Sequence, residues 1–89
     1  MLESPITICN RLGLHARAAA KLVDTANRFG SSIVMQCNGK SADCKSIMQI
    51  IMLAAAQGTN AMLTAEGEDA HQAMEAIVLL INDRFGEEE

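Results

Sequence analysis

Ser32-Ile33-Val34-Met35-Gln36-Cys37-Asn38-Gly39-Lys40-Ser41-Ala42-Asp43 reads as a β-hairpin. Six residues rich in strand formers run into Asn38-Gly39, a pair favoured in type I′ turns because both central positions need φ > 0. Lys40–Asp43 returns as a short strand, its charged residues suited to a sheet edge. This antiparallel pair is the fixed point around which the other elements have to be arranged.

Downstream, Ser46-Ile47-Met48-Gln49 matches the S-x-x-Q capping box, with Ser46 as N-cap of a helix carrying Ile47, Ile50, Ile51 and Ala54. Gln57–Asn60 breaks the chain. Ala61–Glu66 is a further strand, with Ala61, Leu63 and Ala65 pointing inward. Gly67-Glu68-Asp69 turns into a long helix and sets acidic residues at its positive end. Its spacing runs through Ala70, Ala73, Ile77, Leu80, Ile81 and Arg84, and its buried face is Ala73, Ile77, Leu80 and Ile81. Gly86 and three glutamates read as a frayed acidic tail over 86–89. Upstream, Ala19, Leu22, Val23, Ala26 and Phe29 form one stripe of a helix that starts at Ala16 and stops at Gly30, placed as a C′ residue. Pro5–Cys9 is the first strand, with Pro5 at its start and Ile6 and Ile8 facing the core.

The order is therefore β-α-β-β-α-β-α. A helix joins the first two strands, so they run parallel, yet the second and third form a hairpin. Inserting the fourth strand between the first two, antiparallel to both, reconciles these demands. The expected fold is α+β, a two-layer open-faced sandwich with a four-stranded antiparallel sheet of order 1-4-2-3 and three helices on one face. The other face, with Thr7, Thr64 and Glu66, meets water.

The chain has 89 residues, which is one domain over 1–89 without repeats or linkers. A domain of this size has no room for an enclosed multi-substrate site, so any chemistry is expected at the surface. The apolar stretches Ile47–Ala56 and Ala76–Ile81 fall short of the roughly 20 residues that span a bilayer. No basic segment followed by an apolar one marks the start for export, so a soluble cytoplasmic domain is expected. Residues 1–45 carry a net charge of +3 and residues 46–89 a net −7. An acidic chain with 2 Phe, no Tyr and no Trp is poorly equipped for nucleic acid. Its cationic half suits an acidic partner or a phosphorylated molecule. Cys9, Cys37 and Cys44 have neither disulfide nor zinc spacing and read as reduced small hydrophobes.

Gly13-Leu14-His15-Ala16-Arg17-Ala18-Ala19-Ala20 carries the chemistry. His15 stands where loop becomes helix, beside the unsatisfied N–H groups of the first turn, which make an anion site of Ala16, Arg17 and Ala18. The positive helix end favours the neutral imidazole, a nucleophile that needs no base. Arg17 offers a planar fork for phosphate oxygens. These parts can take up a phosphoryl group and release it. The same residues also read as a plain helix cap beside a solvated arginine.

The stretch Gly13–Ala20 resembles the signature around the active histidine of the HPr family, the histidine-containing phosphocarriers of the bacterial phosphoenolpyruvate-dependent phosphotransferase system. Asn38–Met48, Gln57–Thr59 and Ala65–Asp69 extend the resemblance over essentially the whole chain. It implies that His15 is phosphorylated on Nδ1 by phosphorylated enzyme I and passes the group to an enzyme IIA domain, with Arg17 steadying the phosphoryl oxygens. It implies that Ser46 is the serine modified by an HPr kinase/phosphorylase where that regulation exists. Ile47, Met48 and Ile51 match the exposed apolar patch that docks on partners. No bound cofactor or metal is implied, since Mg²⁺ and phosphoenolpyruvate belong to enzyme I. A carrier that presents one face to several partners is most simply a monomer, and it turns over only with those partners.

Phosphate on Ser46 would sit at a helix start and leave the fold intact while opposing an acidic partner at the rim of the patch. A mainly regulatory module, of the kind found in a nitrogen-related branch of the same system, is the alternative to a sugar-uptake component. Ala18 stands where many members have proline, which adds a backbone N–H to the first turn. Gln49 and Ala54 stand where glycines are frequent and are expected to strengthen the second helix. Gly13 reads as a loop conformation or as a close approach of partner backbone. His71 reads as solvated surface.

Overall fold

The computed structural model describes Met1–Glu89. Its elements are β1 (Leu2–Thr7), α1 (Ala16–Ala26), β2 (Ser32–Cys37), β3 (Lys40–Asp43), α2 (Ile47–Met52), β4 (Asn60–Glu66) and α3 (Ala70–Asn82), followed by a closing turn at Arg84–Gly86. The strands form one sheet of order β1-β4-β2-β3 in which every neighbouring pair is antiparallel. The two-layer α+β arrangement read from the hairpin is the one present. Asn38 and Gly39 have φ of +53° and +74°, as the type I′ turn requires.

The alternation of the strands decides which face is covered. Ile6, Ile33, Met35, Ala61, Leu63 and Ala65 are buried beneath the helices, while Thr7 and Glu66 are exposed. Ala18, Ala19, Leu22, Val23 and Ala26 supply the inward stripe of α1, and Ala70, Ala73, Ile77 and Ile81 that of α3. Leu80, expected on the buried face of α3, is only partly covered. Pro5 lies inside β1 rather than at its start. It is tolerated because β1 is an edge strand with β4 as its one neighbour.

Several element ends differ from the sequence reading, each for a local reason. Helix α1 closes at Asn27, before Gly30, through hydrogen bonds from Arg28 N to Thr25 O and Phe29 N to Ala26 O. Ser46 does cap α2 by accepting from Gln49 N at 3.3 Å. The reciprocal half of the capping box is absent, because Gln49 Oε1 accepts from Asp43 N instead. Asp69 makes no side-chain cap to α3, since its carboxylate takes Gly30 N, Ser31 N and the Ser31 hydroxyl. Those bonds, the Ser31 hydroxyl foremost and then Gly30 N–H, hold its carboxyl below the usual range.

The tail expected to fray is instead tied down. Arg84, Phe85 and Gly86 all have positive φ, and this left-handed turn drives the Phe85 ring into the core, where it is fully buried. Arg84 therefore leaves the helical spacing assigned to it. Lys21 Nζ donates to Phe85 O at 2.7 Å, and Arg11 N donates to Glu89 O at 2.9 Å.

Ala54 overturns one expectation outright. It does not lengthen α2 but follows its end at φ +53°, a left-handed C′ position where a Cβ is strained. Ala54→Gly is expected to stabilise the protein by about 0.5–1 kcal/mol, the relief of strain exceeding the entropy cost of glycine. Thermal unfolding followed by circular dichroism should show a Tm higher by about 2–8 °C.

Candidate functional site

The loop from Cys9 to Leu14 is held by its own backbone and by one buried side chain. Asn10, fully buried, donates from Nδ2 to Gly13 O at 2.8 Å, while Gly13 N donates back to Asn10 O at 3.2 Å. Leu14 N donates to Ala55 O at 2.9 Å and pins the loop to the segment that follows α2. Gly13 sits at this contact with φ +68°. A Cβ there would lie 2.4 Å from Ala55 O and 2.9 Å from Ala56 Cα. Gly13 thus serves the loop conformation foreseen for it, and the close approach that it permits here is to its own chain.

His15 is the residue this clamp delivers. It is the N-cap of α1, with extended backbone, and its Nδ1 accepts from Arg17 N at 3.3 Å. Its side chain is 27% exposed. Ala16 and Ala18 lie in the same first turn, where no carbonyl one turn back exists to receive their N–H groups. The Arg17 side chain stands in the solvent on the lip of an open cleft that also includes Arg11, Leu12 and Lys21. The first-turn amides and Arg17 therefore border the space beside the ring, while Arg11 is paired with Glu89, Lys21 Nζ holds Phe85 O, and Glu87, Glu88 and Glu89 line the same cleft.

The opposite ring nitrogen has a partner that sequence reasoning missed. His15 Nε2 is hydrogen-bonded to Glu87 Oε2, and Glu87 Oε1 accepts from Asn10 Nδ2 at 3.0 Å. The Asn10 bond first, with help from His15, outweighs burial and holds the Glu87 carboxyl below the usual carboxylate range. The one available signal was Phe85, a lone large apolar residue two positions ahead of Glu87 and able to anchor the segment. Asn10 offered no signal, because a loop asparagine looks solvated until its burial is known.

Ser46 lies at the start of α2, half-buried. Ile50 and Leu53 enter the core, whereas Ile47, Met48 and Ile51 remain exposed, Met48 at 67%. Met52 on α2 and Leu12 on the lip of the cleft are exposed as well, and Leu12 was not singled out from sequence. His71 is exposed in the first turn of α3. Cys37 and Cys44 are buried, and burial foremost pushes the Cys44 thiol up to about 12. Cys9 Sγ donates to Ile81 O at 3.2 Å.

Known proteins are similar to this chain over most or all of its length. A family model described as the PTS HPr component phosphorylation site matches residues 2–83. The phosphocarrier protein HPr of Cupriavidus necator is 49% identical, covering 100% of both chains. The phosphocarrier protein NPr of Shewanella violacea is 41% identical, covering 97% of this chain and 94% of its own. A crystal structure of HPr from Thermoanaerobacter tengcongensis superposes with a TM-score of 0.96 at 46% identity, covering 100% of both chains.

The clamp at Gly13 can be tested without any partner. Gly13→Ala adds both the left-handed strain and the collision with Ala55 O, and is expected to cost about 2 kcal/mol or more. The corresponding fall in Tm is about 8–16 °C.

Proposed function

The chain belongs to the HPr family of phosphotransferase-system phosphocarriers, and we propose that it takes a phosphoryl group from phosphorylated enzyme I onto His15 Nδ1 and passes it to an enzyme IIA domain. The observation that carries this reading is the placement of Nδ1 at the first turn of α1, facing Arg17 N rather than solvent alone. The lone pair on Nδ1 attacks phosphorus, the bond to the donor breaks, and its electron pair leaves with the donor. The weak contact from Arg17 N gives way in that step. That N–H, with those of Ala16 and Ala18, then meets the phosphoryl oxygens at the positive helix end. Arg17, already free in the cleft, adds a guanidinium to the same oxygens. The group can be passed on because the ring is partly exposed, so that a second protein can approach it along the same line. Mg²⁺ and phosphoenolpyruvate act on enzyme I, and this chain needs no cofactor of its own.

Ile47, Met48 and Ile51, with Leu12 and Met52, supply the docking surface beside the histidine. Flexible thioethers there can repack against more than one partner. Ser46 stands at the rim of that surface. A phosphate on it, placed by an HPr kinase/phosphorylase, opposes an acidic partner while remaining compatible with the α2 start. One copy of the chain is sufficient for these roles, in the cytoplasm where phosphoenolpyruvate is made. The relative named NPr favours a second reading, in which regulators rather than sugar transporters read the phosphorylation state. Both readings use the same His15 chemistry.

Incubation with enzyme I, Mg²⁺ and labelled phosphoenolpyruvate should place an acid-labile, alkali-stable label on the protein. His15→Ala should abolish it, and a wild-type protein that stays unlabelled beside an active enzyme I contradicts the proposal. Ser46→Asp keeps an accepted N-cap residue, so its stability should change by no more than about 0.5 kcal/mol. The KM of enzyme I for that variant should rise on the order of tenfold. An unchanged KM contradicts the role given to Ser46.

A further inference from the structure

Glu87 lies outside the region the family model matches, and its contact with His15 has no role in the transfer as derived above. Resting on that transfer, we propose that Glu87 is a positioning residue: its carboxylate accepts the Nε2–H of His15 and keeps the nucleophilic lone pair on Nδ1.

The hydrogen bonds around the ring leave one consistent proton assignment. A backbone N–H, from Arg17, points at Nδ1 and requires a lone pair there. An ionised carboxylate faces Nε2 and requires a proton there. The carboxylate is itself oriented, because Asn10 Nδ2 holds Oε1 and is anchored in turn on Gly13 O. Loop, segment 84–89 and ring thus form one chain of bonds, running Gly13 to Asn10 to Glu87 to His15.

The segment is built to deliver that carboxylate. Three successive left-handed residues are held by the buried Phe85 ring, by Lys21 on Phe85 O and by Arg11 N on Glu89 O. None of these anchors involves His15, so the segment can stay in place when residue 87 is changed. Their combined cost in backbone strain is spent at the reactive histidine, where strained geometry is most often retained.

The chemistry uses this arrangement at each stage. As Nδ1 attacks phosphorus and the donor bond breaks, the ring becomes cationic while its Nε2–H stays where it is. The carboxylate then faces the charge that develops, as the acid of a serine-protease triad does for its imidazole. When the next acceptor attacks, the N–P electron pair returns to Nδ1 and the starting tautomer is regenerated.

Glu87→Gln separates this role from packing. Asn10 Nδ2 can only donate, so it takes the amide oxygen and turns the amide NH₂ toward His15. A donor at Nε2 favours the wrong tautomer, with the proton on Nδ1. Glu87→Ala removes the preference without imposing the reverse one. Nitrogen NMR of free protein labelled at histidine should report Nε2–H in the wild type, a shift toward Nδ1–H in Glu87→Gln and a mixture in Glu87→Ala. The kcat for phosphorylation by enzyme I should fall on the order of tenfold or more in Glu87→Gln, with KM little changed. A labelled wild type whose tautomer and kcat survive in both variants overturns the positioning role alone. An unlabelled wild type overturns the carrier reading and this role together.

Discussion

The site depends on a single close approach, that of the residue 10–14 loop to the chain leaving α2. Leu14 N on Ala55 O sets the distance, and the absence of a side chain at Gly13 permits it. Everything reactive follows from that contact. It fixes the angle at which the chain enters α1, hence which residue is the N-cap, hence that an imidazole stands at the positive helix end. It also brings the apolar surface of α2 beside that imidazole, because the same contact joins the two segments. A reactive group and the surface that presents it are therefore one construction.

Left-handed backbone recurs where the site is made. Gly13 has it in the loop, Ala54 at the end of α2, and Arg84, Phe85 and Gly86 in the closing turn. Three of these five carry a side chain and are disfavoured there. Packing holds them in place: the fully buried Phe85 fixes the closing turn, and the Leu53 side chain, almost wholly covered, fixes the end of α2. The core thus stabilises a surface geometry that the local sequence disfavours.

Much of the fold was legible because its decisive signals are local. Asn38-Gly39 can be read from two residues, and the stripe of α1 from one helical period. Strand order followed from connectivity, since a helix-linked pair and a hairpin leave few arrangements of four strands. The position of His15 at a helix start was equally local, with the family resemblance adding the identity of the chemistry. What was missed is long-range. Nothing near Glu87 in sequence announces Asn10 or His15, more than seventy residues away, and a run of glutamates after glycine has the composition of a solvated tail. Ala54 was misread for a related reason: alanine is a strong helix former, and tertiary packing overrode that propensity. Asp69 was placed at the positive end of a helix, but the loop at Gly30 and Ser31 comes close enough to take its carboxylate.

The central claim is that transfer from enzyme I places phosphorus on Nδ1 of His15 and on no other atom. Nitrogen-labelled protein, phosphorylated with enzyme I and phosphoenolpyruvate and examined by phosphorus and nitrogen NMR, tests it through the one-bond phosphorus–nitrogen coupling. The account predicts that the coupling appears at Nδ1 of His15, with the proton retained on Nε2. A coupling at Nε2, or phosphorus on any other residue, would contradict it.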